Sequence, residues 1–139
     1  RAYFLNVYAA DQLPRERIAQ TPWLLVCNCC PIDLPGEHWI AMYGDEENGV
    51  DVFDSFGLEP RWYEGVLDFL SAQYPFPHFR HNNARLQSFE SDACGHYCLY
   101  FAHHRSCGDT MFEIVNRLAS VNDSVRDEYV KHCVVNVLY

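Results

Sequence analysis

The segment GEHWIAMYGDEENGVDVFDSFG (residues 36–57) has the pattern of a β-hairpin. An apolar run (38–43) leads into the charged turn GDEENG, which has a glycine at each end, and a second run (50–55) follows it. Two antiparallel strands would place the beginning of the first strand beside the end of the second. The hairpin therefore predicts that His38 and Asp54 lie close together.

The segments on either side of this hairpin predict further strands and helices. Residues 23–30 form a continuous apolar run, which is typical of a strand buried on both faces of a sheet. Apolar residues at helical spacing predict one helix over 62–73 and another that begins at Cys94 and ends at Gly108. Between these helices, residues 78–87 predict a strand that leads into a polar loop.

Two more helices are predicted after Gly108. Thr110 and Glu113 form a capping-box pair at the beginning of the first of them. The second carries one apolar stripe, made of Val125, Tyr129, Val130, Cys133, Val134 and Val137. A central sheet with helices after and around it is the pattern of an α+β fold, and 139 residues suffice for one core. We therefore expect a single domain over residues 1–139.

Composition and charge argue against several classes of protein. Hydrophobic residues make up 49% of the chain and aromatic residues 15%, as in globular proteins. The net charge is −9 and the pI about 5.1, and an acidic surface repels phosphate, so we expect no nucleic-acid binding. That expectation would change if folding gathered four basic residues on one face: Arg80, Arg85, Arg105 and Lys131. No run reaches the ~18 apolar residues of a membrane span, and the first residues lack the pattern of a signal peptide.

The seven cysteines are an odd number without a repeating spacing, which favours an intracellular, reducing compartment. Cys27, Cys29 and Cys30 form a C-x-C-C pattern on a predicted strand, and no second pair accompanies it, so we predict core packing and no metal site. Cys98 falls on a buried helical stripe. The neighbouring histidines 103 and 104 are predicted at the surface, near a helix C-terminus.

Cys94 is the candidate nucleophile. It follows the polar loop SFESDA (88–93), begins a predicted helix and precedes Gly95. The positive end of the helix dipole favours a thiolate at this position, and Gly95 leaves room for a substrate backbone. The alternative is a small buried apolar side chain, which is the usual role of a cysteine.

Three other residues complete a candidate site for nucleophilic catalysis. His38 lies at the transition from a loop to a rigid strand, where a general base is well held, and the carboxylate of Asp54 would fix its tautomer. Gln87, seven residues before Cys94, would donate an amide N–H to an oxyanion. Each residue also has a common structural role as its alternative: a histidine at the edge of the core, an aspartate that terminates a strand, and a surface glutamine.

Taken in order, these residues resemble the adenain family of adenovirus maturation proteases, and more distantly the proteases of ubiquitin-like modifiers that share its fold. The spacing of seven residues from Gln87 to Cys94 is the spacing found in adenain. The order His, Asp, Gln, Cys differs from that of papain-like enzymes, in which Gln and Cys come first in the chain. The similar stretches are YFLNVYAADQLP (3–14), GEHWIAMY (36–43), VDVFDSFG (50–57) and LQSFESDACGHYC (86–98).

The resemblance implies the papain-like, adenain-like cysteine protease fold: a central mixed, mostly antiparallel sheet packed by helices, with the nucleophile at a helix N-terminus. It also implies a further helix before residue 1. Transferred residue by residue, it implies that Cys94 is the nucleophile, His38 the general base and acid, Asp54 the residue that orients His38, Gln87 part of the oxyanion hole, and Trp39 and Gly95 substrate-binding residues.

The function implied is a cysteine endopeptidase that cleaves after glycine, at Gly-Gly or Gly-X sites in structural precursor proteins of a virus or virus-like element. Adenain has Glu where this chain has Asp54, whereas the modifier proteases have Asp. Two alternatives remain: a deconjugating protease of a ubiquitin-like modifier, which the same four residues would serve, and a catalytically inactive binding module that kept the fold, against which the complete set of four argues. Adenain uses DNA and a basic peptide as cofactors; for this acidic monomer we expect no DNA or metal, and a peptide activator stays open.

Overall fold

The predicted hairpin is present, and it forms the centre of a five-stranded mixed sheet in the computed structural model. The structure describes residues 2–30, 37–74 and 79–138. The strands are β1 (Tyr3–Ala9), β2 (Trp23–Cys29), β3 (His38–Asp45), β4 (Gly49–Phe53) and β5 (Phe79–His81), and they are neighbours in that order.

The sheet is antiparallel at its centre and parallel at both edges. Strand β3 pairs antiparallel with β2 and β4, whereas β1 pairs parallel with β2 and β5 pairs parallel with β4. The expectation of a mostly antiparallel sheet was therefore right for the three central strands and wrong for the edges. The reason is that β1 and β5 are reached by long connections and not by tight hairpin turns.

Helices cover both faces of the sheet, which confirms the α+β class. The described helices are α1 (Val66–Gln73), α2 (Cys94–Ser106), α3 (Met111–Ala119) and α4 (Arg126–Leu138). Alternate residues of β2 face opposite sides, because side chains alternate along a strand. Leu24 and Val26 belong to the core with α2, α3 and α4, and Leu25 and Cys27 belong to the core with α1. The prediction of a strand buried on both faces is confirmed.

Two predicted elements are shorter in the structure. The helix predicted over 62–73 begins at Val66, because Gly65 takes a positive φ of 82° and separates it from a 3-10 turn. The strand predicted over 78–87 is Phe79–His81, while residue 78 lies outside the described residues. The chain leaves the sheet at Asn82, whose side chain bonds the Asp54 backbone in place of a strand pairing.

The first strand was not predicted, and the last helix was predicted in part. Strand β1 lacks a clean alternation of buried and exposed residues, so its sequence carries no strand period. Val130 and Val134 of α4 are buried, but Tyr129 is 37% exposed, and Val125, which is 53% exposed, precedes the helix. The Val137 side chain lies outside the described part. The Thr110–Glu113 capping box at α3 is confirmed by both of its hydrogen bonds.

The cysteine predictions can be compared with the core directly. Cys27, Cys29 and Cys98 are buried, as predicted. The prediction of core packing was wrong for Cys30, which is exposed because it lies just beyond the end of β2. Within residues 2–30, 37–74 and 79–138, no three His, Cys, Asp or Glu side chains are grouped in a way that would hold a metal ion. None of the described helices is long and apolar enough to cross a membrane.

Candidate active site

Three elements place the candidate residues at one end of the sheet. Ala41 of β3 pairs with Phe53 of β4, so β3 begins and β4 ends at the same edge. His38 is the first residue of β3, Asp54 directly follows β4, and Cys94 is the first residue of α2. Helix α2 packs on the face of β3, and Cys94 lies close enough to His38 for the two side chains to shift each other's pKa.

His38 and Asp54 form a buried pair. The Nε2 atom of His38 lies 2.6 Å from Oδ1 of Asp54, and each side chain is 1% exposed. The carboxylate also accepts the backbone N–H of Phe56 at 2.9 Å, the backbone N–H of Leu58 at 3.1 Å and the hydroxyl of Tyr63. Four donors thus hold the carboxylate in one orientation, which in turn fixes the imidazole.

Aromatic rings fix the plane of the imidazole. The ring of Phe56 stacks on that of His38, with centroids 3.7 Å apart and planes at 7°, and Tyr63 lies 5.9 Å away at 17°. Phe89 packs edge-on against Phe56 at 4.8 Å. The imidazole is therefore held by stacking as well as by its hydrogen bond.

The second ring nitrogen of His38, Nδ1, is not used by Asp54, and the thiol of Cys94 lies within interaction range of the ring. Nδ1 is buried and has no hydrogen-bond partner among the described residues, while the Cys94 thiol interacts with the ring and shifts its pKa. Burial lowers the pKa of His38, but its interactions with Asp54 and Cys94 outweigh burial and raise it above 6.5. A nitrogen left free in this position can take the thiol proton when the contact tightens on substrate binding.

The environment of Cys94 favours the thiolate. Burial raises the pKa of the thiol, but His38 and the backbone N–H groups of Trp39 and Gly95 outweigh burial and bring the pKa below 9.0. The thiol lies at the N-terminus of α2, where the helix dipole acts in the same direction. The raised pKa of His38 and the lowered pKa of Cys94 together favour a thiolate–imidazolium pair.

The two residues predicted to bind substrate lie beside the thiol. Trp39 is partly buried against the core that contains α2, and its backbone N–H is one of the groups that lower the pKa of the Cys94 thiol. A Cβ atom built on Gly95 would meet no atom within 4 Å, so the approach over this residue is open. Cys94 itself is 8% exposed.

Gln87 is held by hydrogen bonds from two loops. Its Oε1 accepts the hydroxyl of Ser55, its Nε2 donates to the carbonyl of Ser91 at 3.1 Å, and the side chain is 3% exposed. The described hydrogen bonds link Gln87 to these serines and do not link it directly to Cys94 or His38. The structure therefore brings His38, Asp54 and Cys94 together and fixes Gln87 in a separate, adjoining network.

Sequence reasoning missed four residues that support this site: Ser55, Phe56, Tyr63 and Asn82. Asn82 accepts the backbone N–H of Asp54 at 2.8 Å and donates to its carbonyl at 2.6 Å, which anchors the main chain behind the carboxylate. Ser55 and Phe56 follow Asp54 directly, and that adjacency was the one signal available in the sequence. Tyr63 and Asn82 reach the site only through the fold.

Comparisons with known proteins add no family: the chain matches no protein-family model and no curated protein sequence.

The pKa shifts predict the pH dependence of Cys94 alkylation. In the wild-type protein, the rate with iodoacetamide should rise with a midpoint below the 9.0 of an ordinary thiol. His38→Ala removes the largest interaction that lowers the pKa, while the burial that raises it and the N–H groups of Trp39 and Gly95 remain, so the midpoint should move up from the wild-type value. His96→Ala, two residues along α2, is the matched control and should keep the wild-type midpoint. Site-resolved mass spectrometry measures the rates, and identical profiles for His38→Ala and wild type would contradict the pairing.

Proposed function

We propose that this chain is a cysteine endopeptidase in which Cys94 is the nucleophile, His38 the general base and acid, and Asp54 the residue that orients His38. The observation that carries the proposal is the buried His38–Asp54 pair beside Cys94: the thiol interacts with the His38 ring, and Nδ1 of that ring has no hydrogen-bond partner among the described residues. The opposite pKa shifts of the thiol and the imidazole support it, because they favour the reactive ion pair.

In the proposed acylation step, the Cys94 sulfur forms a bond to the carbonyl carbon of the scissile peptide. The carbonyl oxygen becomes an oxyanion, which the backbone N–H of Cys94 and the side-chain amide of Gln87 would stabilise. His38 gives its proton to the leaving amine as the C–N bond breaks. A water molecule, deprotonated by His38, then hydrolyses the thioester and releases the thiol.

The proposed substrates are proteins or peptides cleaved after glycine, at Gly-Gly or Gly-X sites in viral or virus-like structural precursors. This part rests on the adenain-like order of His38, Asp54, Gln87 and Cys94, together with the mixed sheet and the helix that begins at the nucleophile. The open approach over Gly95 suits a substrate backbone with small side chains. A papain-like, adenain-like fold is part of the same proposal.

A second candidate is a deconjugating protease of a ubiquitin-like modifier. The observation that favours it is Asp54, since the modifier proteases carry Asp where adenain carries Glu. The same four residues would serve both functions. A panel that compares short Gly-Gly peptides with intact modifier conjugates separates the two: cleavage of conjugates alone would favour the second candidate.

We propose a monomer that acts in a reducing compartment without DNA. All seven cysteines lie among the described residues and none is in a disulfide. Three of the four basic residues considered for a shared face lie beside carboxylates. Arg80 and Arg105 both bind Asp51, and Nζ of Lys131 lies 3.7 Å from Oδ1 of Asp92. These carboxylates offset the charge that phosphate contacts would need. A peptide activator remains compatible with the proposal.

The direct test of function is substrate profiling. Purified protein is incubated with a peptide library, and mass spectrometry identifies the cleaved bonds. The proposal expects cleavage after glycine, with Cys94→Ala as the blank. Cleavage after large side chains would overturn the proposed specificity and keep the enzyme class.

Gln87→Ala should slow peptide cleavage strongly and leave the thiol reactive. Losing one oxyanion donor typically lowers kcat by about 10²–10³-fold. Alkylation of Cys94 by iodoacetamide passes through no oxyanion, so its rate should change little. Stopped assays of both reactions on the same preparation check this. Equal losses in the two assays would assign Gln87 a structural role.

A further inference from the structure

The turn after β4 also contacts the candidate oxyanion residue. Ser55 is 1% exposed, and its hydroxyl hydrogen-bonds the Oε1 atom of Gln87, which lies 32 residues further along the chain. The carbonyl of Ser55 accepts the backbone N–H groups of Leu86 at 2.8 Å and Gln87 at 3.1 Å. Three hydrogen bonds thus join Ser55 to residues 86 and 87.

The carbonyl of Ser91 determines which way the Gln87 amide faces. A carbonyl can only accept, so the group 3.1 Å from it must be the Nε2 of Gln87. The Oε1 then faces Ser55, whose hydroxyl must be the donor. An amide nitrogen carries two protons, and the described hydrogen bonds use one of them, on Ser91. The other proton is the one available to an oxyanion.

The turn of residues 54–57 packs closely against the segment that leads to Gln87. Gly57 donates its N–H to the carbonyl of Asp54 at 2.8 Å and has a φ of 73°. A Cβ atom on Gly57 would lie 2.8 Å from the backbone of Ala84, which no real side chain tolerates. The glycine therefore lets residues 54–57 lie directly against the chain that leads to Gln87.

We propose that Ser55 is a positioning residue that orients the amide of Gln87 toward the oxyanion. The turn after β4 then positions both the general base and the oxyanion donor. Asp54 orients the imidazole through its carboxylate, and the next residue orients the oxyanion donor through its hydroxyl. This inference rests on the proposed function, because it assigns Gln87 its place in the reaction. It adds a residue that acts through Gln87 and does not touch the substrate.

Ser55→Ala tests the proposal. It removes the hydroxyl and keeps the carbonyl that binds residues 86 and 87. We expect kcat for a peptide substrate to fall roughly 10- to 100-fold, less than the 10²–10³ for outright loss of a donor. KM and the rate of Cys94 alkylation should stay within about twofold, because neither depends on the amide of Gln87. Ser71→Ala, an exposed serine of α1, is the matched control.

A double-mutant cycle separates orientation of Gln87 from general support of the fold. In a Gln87→Ala background, Ser55→Ala should cost less than about twofold more in kcat, because the group it orients is already gone. A second full loss in that background would overturn the proposal, as would full activity of Ser55→Ala alone. An inactive wild-type protein would instead refute the proposed function, so the two failures are distinguishable.

A measurement on the wild-type protein covers the case in which Ser55→Ala does not fold. The side-chain amide of Gln87 can be identified in a ¹⁵N spectrum as the signal that Gln87→Ala removes. We expect two separate proton resonances, one of which is protected from exchange by the bond to Ser91. Two rapidly exchanging protons with the shifts of a free glutamine would overturn the proposed orientation.

Discussion

Replacing Cys94 by alanine should abolish peptide cleavage. Removing the nucleophile of a protease typically lowers kcat by roughly 10⁴–10⁶-fold, because the other catalytic groups act only through it. Alanine suits the beginning of a helix, and the thiol is a small part of the core, so the fold should survive. Cleavage kinetics with a peptide identified by profiling, together with the melting temperature of each variant, check both statements.

The matched control for this variant is Cys107→Ala. Cys107 is an exposed thiol that follows the end of the same helix, so its loss removes an alkylation site without touching the candidate site. We expect wild-type cleavage from this variant. Activity that persists in Cys94→Ala at the wild-type rate would show that another group carries the reaction.

Asp54→Asn should produce the second largest loss, about 10²–10⁴-fold in kcat. An asparagine must turn its NH₂ group toward a position now occupied by an oxygen that accepts N–H groups. If the NH₂ faces His38, it forces Nε2 to accept and leaves the proton on Nδ1, which then cannot take a proton from the Cys94 thiol. If the NH₂ group faces away from His38, it takes the place of Oδ2, and the N–H of Leu58 then meets a donor instead of an acceptor.

This variant should also be less stable, by about 2–4 kcal/mol, because a buried donor is left without an acceptor. Asp51→Asn is therefore the control. Asp51 is also buried, lies on β4 three residues before Asp54 and binds Arg80 and Arg105, so its loss should lower stability without changing the kcat of the folded protein. Chemical denaturation and kcat measured on both variants compare the two effects. If Asp51→Asn lost as much kcat as Asp54→Asn, the result would show that Asp54 has a structural role only.

The fold was predictable where the sequence carries a clear apolar pattern. The continuous apolar run from His38 to Tyr43 with its returning strand predicted the hairpin, and the helical spacing of apolar residues after Cys94 predicted α2. The element boundaries were less predictable, because they depend on single residues. Gly65 delays α1 through its positive φ, and Asn82 ends β5 through a side-chain bond to a strand far away in the chain.

The candidate site divides in the same way. His38, Asp54, Gln87 and Cys94 were selected from residue type, spacing and order, which are properties of the sequence. The residues that hold these four in place depend on contacts between distant segments, and no local sequence pattern predicts such contacts. Tyr63 was predicted to lie inside the helix over 62–73, yet it precedes α1 and its hydroxyl reaches the carboxylate of Asp54.

The central claim is that the sulfur of Cys94 forms an acyl-enzyme with a peptide substrate, and trapping that intermediate tests it most directly. The protein is mixed with a substrate found by profiling, quenched in acid within one turnover, and mapped by mass spectrometry. We predict a thioester on Cys94 whose mass equals the N-terminal fragment of the substrate less one water, absent from Cys94→Ala and accumulating to a lower level in His38→Ala. Cleavage of the peptide by wild-type protein without any adduct on Cys94, or with an adduct on another residue, would contradict the account.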